Sequence, residues 1–322
     1  MPRIVVPDDE PPVLAGTVEE ERLRQLGEVR LYKSRALGDE ELLSRITDAD
    51  IVYNIRSTSV FNHKVLKNCP RLKLIAIFGV GYDKVDIKAA TELGITVTNT
   101  PGYSAVAVAE TSLTLMLAAA HQIVQNDGNI RAGGWATGYS SQLYGKTLGV
   151  VGTGSVGQRM IQLGKAIGMK VVAWTLHPSS ERAAEYGVEF VALKELMRQS
   201  DVVSIHVLGV PQTDKLIGNH ELALMKPTAI LINTARGSVV DEPALVKALQ
   251  NGTIAGAGLD VFTTEPLPLD HPLRSTEKVV LSPHVGAMVT EATLAGLAMA
   301  VDNVANFLQG RPTNVVKPAL QG

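Results

Sequence analysis

Short β-branched runs recur along the N-terminal part of the chain, at Ile4–Val6, Glu28–Tyr32, Ile51–Asn54, Leu72–Phe78 and Thr96–Thr98. Between them, apolar residues repeat at helical spacing over Val18–Leu26, Glu40–Ile46, Asn62–Leu66 and Asp83–Leu93. Strands alternating with helices predict a parallel sheet, because a parallel neighbour is reached through a helical crossover. Asn99-Thr100-Pro101-Gly102 interrupts the rhythm, and the apolar stretch Ser104–Gln125 predicts a long buried helix.

A second series begins at Thr147–Val151 and runs through Lys170–Trp174, Asp201–Ile205, Ala229–Ile232, Gly256–Leu259 and Lys278–Leu281. Its helices start at Val156, Ser180, Ala192, Glu242 and Val289. Two series predict two sheets, and 322 residues are enough for two domains. The helix Val289–Leu308 is expected to carry the chain back, leaving Pro312–Gly322 as a tail on the first domain. The expected class is α/β with two doubly wound parallel-sheet domains, one formed by 1–99 with 290–322 and the other by 100–289.

Composition narrows the partners. Hydrophobic residues at 45% and charged residues at 19% supply material for two packed cores. A net charge of −2 provides no basic field for a phosphodiester backbone, so nucleic acid is not an expected partner. Cys69 is the single cysteine, which excludes an internal disulfide and a cysteine-based zinc site and suits a cytoplasmic address. No metal is expected. The segment Ala105–Val124 is broken by Glu110, Thr111, Ser112, Thr114 and His121, short of the roughly 18 apolar residues a bilayer span needs. The apolar run after Met1-Pro2-Arg3 is too short for a signal-peptide core, and no membrane partner is expected.

Leu148-Gly149-Val150-Val151 leads straight into Gly152-Thr153-Gly154-Ser155-Val156-Gly157 and a helical pattern. In that context Gly152 makes the tight turn, Gly154 lets backbone approach a pyrophosphate, and Gly157 seats the helix on the strand. Amides at Ser155 and Val156, at the positive end of the helix, are placed to bind phosphate. This makes the second domain a Rossmann candidate for NAD or NADP. The next strand ends at Thr175, where an NAD enzyme usually carries an acid for the ribose 2′-hydroxyl. With no carboxylate there, and with His177, Ser179, Ser180 and Arg182 following, the reading leans to NADP, while a Thr175 bond to the ribose of NAD stays open.

Three further segments put polar residues just beyond strand ends, where open α/β sheets bind ligands. They are Asn233-Thr234-Ala235-Arg236-Gly237, Asp260-Val261-Phe262 leading to Glu265-Pro266, and Ser282-Pro283-His284-Val285-Gly286. A 2-oxo acid needs a planar cation for its carboxylate, which Arg236 provides. Its carbonyl oxygen needs a proton as hydride arrives, and His284 is the candidate donor. A carboxylate beside that histidine fixes its orientation and stabilises its charged form, and Glu265 is in reach by sequence. Singly, each residue has an ordinary structural reading; together, at three strand ends, they form a catalytic set. His206 ends its own strand and is a secondary candidate. Tyr53, Tyr103 and Met288 are candidates for the substrate pocket.

At these residues the chain resembles the D-isomer-specific 2-hydroxyacid dehydrogenases, a family that includes phosphoglycerate dehydrogenase, glyoxylate/hydroxypyruvate reductase, formate dehydrogenase and phosphite dehydrogenase. The motifs are Gly145-Lys146-Thr147 through Gly157, Asn233 through Gly237 with Val240-Asp241-Glu242, Gly258-Leu259-Asp260-Val261-Phe262 with Glu265-Pro266, and Ser282 through Gly286. The likeness implies a flavodoxin-like substrate domain, a Rossmann cofactor domain, and reversible hydride transfer between NAD(P)H and a small 2-oxo acid. It also implies that Arg236 binds substrate, His284 is the acid/base, Glu265 orients it, and Asp260 and Thr234 lie at the cofactor. Arg56-Ser57 and the backbone of Gly79-Val80-Gly81 correspond to carboxylate contacts, an ordinary strand-end turn being the alternative for the glycines. Leu208 stands where a proline is usual, in the segment where Leu208 and Thr213 correspond to cofactor contacts. Formate enzymes carry Gln at the place of Glu265, which argues against formate. Members usually dimerise through the cofactor domain, so helix 104–125 is the expected homodimer interface. Phosphite oxidation, and a nucleotide-sensing corepressor-like role on the same scaffold, remain open alternatives.

Overall fold

The computed structural model of the chain describes residues 1–56, 58–135 and 138–318. They divide into two compact units, Met1–Ser104 with Val289–Gly322, and Ala105–Met288. The first crossing lies after Ser104, not at 99/100, because Thr100 stays with the first unit: its N–H donates to Gly79 O (3.0 Å) and its hydroxyl accepts from Gly79 N (2.8 Å). Ser57 lies outside the described residues.

The first unit runs β1 (Arg3–Val6), α1 (Val18–Leu26), β2 (Glu28–Leu31), α2 (Asp39–Ile46), β3 (Ile51–Asn54), α3 (His63–Lys67), β4 (Leu74–Ile77), α4 (Ile87–Glu92) and β5 (Thr96–Thr98). Its five strands are parallel in the order β2-β1-β3-β4-β5, the flavodoxin-like order, which reverses direction between β1 and β3. β3 and β4 are buried on both faces, which explains their unbroken apolar runs. Thr17, Asn62 and Asp86 cap α1, α3 and α4 by accepting backbone N–H bonds. Tyr53 is a core residue on the face of β3 that packs with Leu297 and Val301 of the C-terminal helix, its hydroxyl donating to Leu297 O (3.1 Å), so the pocket role expected of it is corrected.

The second unit begins with α5 (Ala105–His121) and α6 (Ile123–Arg131). The apolar pattern predicts one helix over 104–125; Gln122, at φ 52°, breaks it. There follow β6 (Thr147–Val151), α7 (Ser155–Ala166), β7 (Lys170–Trp174), α8 (Ser180–Tyr186), β8 (Glu189–Phe190), α9 (Leu193–Gln199), β9 (Val202–Ile205), α10 (Asn219–Leu224), β10 (Ile230–Asn233), α11 (Glu242–Gln250), β11 (Gly256–Leu259) and β12 (Val279–Leu281). The seven-stranded parallel sheet has the order β12-β11-β10-β9-β6-β7-β8. Strand order reverses between β6 and β9, the switch point at which a doubly wound sheet opens a crevice beyond its carboxyl edge. The small residues of α5 let it pack against α7, β10 and β11. Among the described residues no single helix is long and apolar enough to cross a membrane. The chain then returns to the first unit as α12 (Thr290–Leu308), which packs on α1 and β4.

Candidate active site

The turn from β6 into α7 is built as a close-approach surface. Gly152 has φ 99° and its backbone lies against the carbonyl of His206, leaving no room for a Cβ. Gly157 is pressed on the carbonyl of Gly152, which seats α7 directly on the turn. Gly154 caps α7 without a side-chain bond, and among the described residues the N–H groups of Ser155 and Val156 have no intramolecular partner. Unpaired amides at a helix start, walled by glycines, fit the pyrophosphate of a dinucleotide.

Beside this turn, Arg182 on α8 donates to Thr153 Oγ1 (2.7 Å), Thr153 O (3.1 Å) and His177 O (3.0 Å). Ser179 caps α8 by accepting from Arg182 N. Thr175 is half-buried and His177 exposed, so the end of β7 carries a fixed guanidinium and no carboxylate. Leu208 is exposed, whereas Thr213 is buried, and its hydroxyl closes the loop it belongs to through Leu208 O and Val210 O. His206 sits with Nε2 2.8 Å from Ser204 Oγ, and burial pulls its pKa down to about 3. An imidazole held there is neutral at physiological pH, which removes His206 from the candidates for the acid.

The three strand-end loops converge. After β10, Asn233 shapes the turn: Oδ1 accepts from Ala235 N (3.0 Å) and Nδ2 donates to Arg236 O (2.9 Å). Arg236 is half-buried, with Nη1 donating to Ala235 O (2.8 Å). Sequence pattern alone gives Asn233 no role, although an Asn at a strand end is a recognised turn former. Gly237 then lies flat on the Phe262–Thr263 peptide with no space for a side chain, which docks the Arg236 loop on the Glu265 loop. Glu265 Oε1 accepts from Phe262 N (3.0 Å), and Oε2 stands 2.7 Å from His284 Nδ1. Burial raises the Glu265 carboxyl, but the bonds from His284 and Phe262 and the charges of His284 and Arg236 outweigh it and hold the group below its usual value.

His284 itself has φ 57°, a left-handed conformation uncommon for a side chain of its size. The buried Asp260 explains how it persists, because Oδ1 accepts from Val285 N (3.0 Å) and Oδ2 from Gly286 N (2.8 Å). Asp260 thus anchors the loop that presents His284, a function that its place in the sequence does not reveal. Thr234 is buried, with Oγ1 2.8 Å from Ser112 Oγ on α5.

The remaining candidates are in the first unit. Arg56 follows β3 and donates through Nη2 to Pro11 O, while its Nε is buried without a partner. Burial draws its pKa down, against the support of Asp9 and Asp8. In the Gly79–Gly81 turn, the Gly79 N–H expected to hold a carboxylate donates instead to Thr100. Among the described residues, the N–H groups of Val80 and Gly81 carry no intramolecular bond.

A family model described as D-isomer specific 2-hydroxyacid dehydrogenase, NAD binding domain, matches residues 113–286. The glyoxylate reductase of Aeropyrum pernix is 43% identical over 287 residues, 86% of this chain and 85% of that protein. A crystal structure of a glyoxylate reductase from Paecilomyes thermophila superimposes with a TM-score of 0.89 at 30% identity, covering 98% of both chains. An NADPH-dependent glyoxylate/hydroxypyruvate reductase from Sinorhizobium meliloti, in complex with NADP and malonate, superimposes with a TM-score of 0.85 at 33% identity over 98% of this chain and 96% of that one. With strand order, glycine turn and strand-end residues all in agreement with these matches, the chain belongs to the D-isomer-specific 2-hydroxyacid dehydrogenases and is an NAD(P)-dependent oxidoreductase.

Proposed function

We propose that this enzyme reduces glyoxylate, hydroxypyruvate and comparably small 2-oxo acids to D-2-hydroxy acids, with NADPH preferred to NADH. The observation that carries the reading is the hydrogen-bonded Glu265–His284 pair on a loop docked against that of Arg236. The bound nicotinamide supplies the hydride for the carbonyl carbon. Arg236 holds the substrate carboxylate with its planar fork and so fixes the carbonyl in line. As the carbonyl π pair moves onto oxygen, His284 Nε2–H donates its proton there, leaving a neutral imidazole. Glu265, accepting from Nδ1–H, keeps Nε2 as the outward donor and stabilises the charged ring before transfer. Within the first unit, Arg56 and the amides of Val80 and Gly81 are the candidates for binding an anionic group.

The preference for NADPH is supported by Thr175 at the end of β7 and by the Arg182 guanidinium fixed beside the glycine turn. The malonate-bound relative is named NADPH-dependent, and the Aeropyrum relative is named for glyoxylate. A homodimer through the second unit is part of the same reading, supported by the exposed apolar side chains Val106, Ile123, Val124, Ile130, Trp135 and Tyr139. The test is kcat/KM for a matrix of 2-oxo acids against both cofactors. Glyoxylate and hydroxypyruvate with NADPH should lead; reduction of none of them, or a preference for phosphite oxidation, rejects the proposal.

A further inference from the structure

A second carboxylate–histidine pair lies beneath the first. Glu242, in the first turn of α11, has Oε1 3.2 Å from His271 Nε2, and its Oε2 accepts from Thr263 N (3.1 Å). His271 Nδ1 accepts from Leu273 N (3.3 Å). That last bond fixes the tautomer: a ring nitrogen that accepts from a backbone N–H carries no proton, so the hydrogen is on Nε2 and is donated to Glu242. One carboxylate therefore receives two donors, from opposite ends of the loop that carries Glu265. The two side chains are only 12% and 19% exposed, which limits competition from water.

The loop has little else to set its direction. Phe262 and Leu273 are buried apolar anchors, but apolar contacts are non-directional and leave peptide planes free to rotate. Arg274 gathers the far side, donating to Leu267 O (2.7 Å) and Pro268 O (2.8 Å), within the loop itself. Glu242 acts at the position that matters. Its bond to Thr263 N–H fixes the plane of the Phe262–Thr263 peptide, and the neighbouring Phe262 N–H holds Glu265 Oε1. The same peptide is the surface on which Gly237 docks the Arg236 loop.

We propose that Glu242 and His271 are positioning residues that act on catalysis through Glu265, by fixing the Phe262–Thr263 peptide and so restraining the adjoining Val261–Phe262 peptide, whose Phe262 N–H holds the Glu265 carboxylate that meets His284. The proposal rests on the reading of Glu265 and His284 as the acid–base pair. Glu242→Ala should lower kcat for the best 2-oxo acid by roughly tenfold, within the hundredfold that a one-ångström misplacement costs, with the Kd for NADPH unchanged by fluorescence titration. In a Glu265→Ala background the same substitution should have no further effect on kcat, since the group it positions is gone. A purely structural contribution would instead multiply with Glu265→Ala, and that result overturns the proposal, as does wild-type kcat in Glu242→Ala.

His271 separates orientation from stability even if Glu242→Ala does not fold. His271→Asn keeps an acceptor for Leu273 N–H but cannot reach Glu242, whereas His271→Gln reaches Glu242 and gives up the cap. Loss of kcat in the Asn variant with retention in the Gln variant supports the positioning role, and the reverse order overturns it. His284→Gln is the reference arm: full activity there removes the acid–base reading itself, whereas its collapse beside an unaffected Glu242→Ala removes only the present proposal.

Discussion

His284 Nδ1 and Glu265 Oε2 are 2.7 Å apart although the two residues leave different strands, β12 and β11, by loops of unrelated construction. The pairing of those strands, Leu259 opposite Leu281, sets their ends side by side. The Glu265 loop then folds back onto its own Phe262 amide, while the His284 loop is tied down by Asp260. Both loops are thus braced by bonds other than the Glu265–His284 contact itself, so the pair is preorganised before substrate arrives.

That preorganisation predicts an effect on rate and an effect of pH on stability. His284→Gln should lower kcat by about 10²–10⁴, the range of a general acid. Glu265→Gln replaces the carboxylate that accepts from His284 Nδ1–H with a neutral amide, so kcat should fall there too, by less than in His284→Gln. The Glu265 carboxyl is held below its usual 4.5 in the folded chain. Its contribution to stability is therefore present above that value and lost as pH falls through the depressed folded value. The difference in Tm between wild type and Glu265→Gln should close in acid; a gap that widens there contradicts the assignment.

Arg236→Lys tests whether a planar fork or a mere positive charge is needed. A lysine keeps the charge but gives one point of attachment where the guanidinium gives two parallel bonds. The expected result is a fall in kcat/KM of about a hundredfold, or about 2.7 kcal/mol at 1.36 kcal/mol per decade, with cofactor Kd unchanged. Equal kcat/KM in the two proteins would show that the carboxylate is held elsewhere.

The parts of the site legible in the sequence are those whose chemistry is local. The glycine turn could be read because Gly152 and Gly157 are required by backbone geometry within one strand–helix unit, and Arg236, Glu265 and His284 because each follows an apolar run that had to be a strand. What escaped depends on partners far along the chain. Asp260 anchors Val285 and Gly286, Gly79 N–H is taken by Thr100, and Thr213 closes its own loop, none of which is encoded in spacing. In the fold, β8 has two residues and no periodicity to detect, and the break at Gln122 comes from a left-handed residue that apolar patterning does not reveal.

Asp260→Ala should cost both stability and rate. It leaves two backbone N–H groups without acceptors, each worth about 1–3 kcal/mol when buried, and it frees the strained backbone at His284 to relax. Thermal unfolding should show a lower Tm, and kcat at permissive temperature should fall with it. Asp260→Asn retains one acceptor and should fall between; a variant with reduced Tm but wild-type kcat would show that the anchor is structural only.

The proposed cofactor choice rests on the end of β7. An aspartate introduced at Thr175 would face the ribose hydroxyls, where it accepts from a 2′-hydroxyl and repels a 2′-phosphate. Arg182 pulls the other way, because its bonds to Thr153 and His177 fix a positive charge next to the glycine turn whatever stands at 175. Thr175→Asp should therefore lower the ratio of kcat/KM with NADPH to that with NADH by at least about tenfold, since like charges in contact cost several kcal/mol before screening. Arg182→Ala should lower the same ratio but also loosen the turn, raising the Kd for both cofactors. If Thr175→Asp leaves the ratio unchanged, the 2′ position is not read at β7 and the proposed preference for NADPH loses its structural basis.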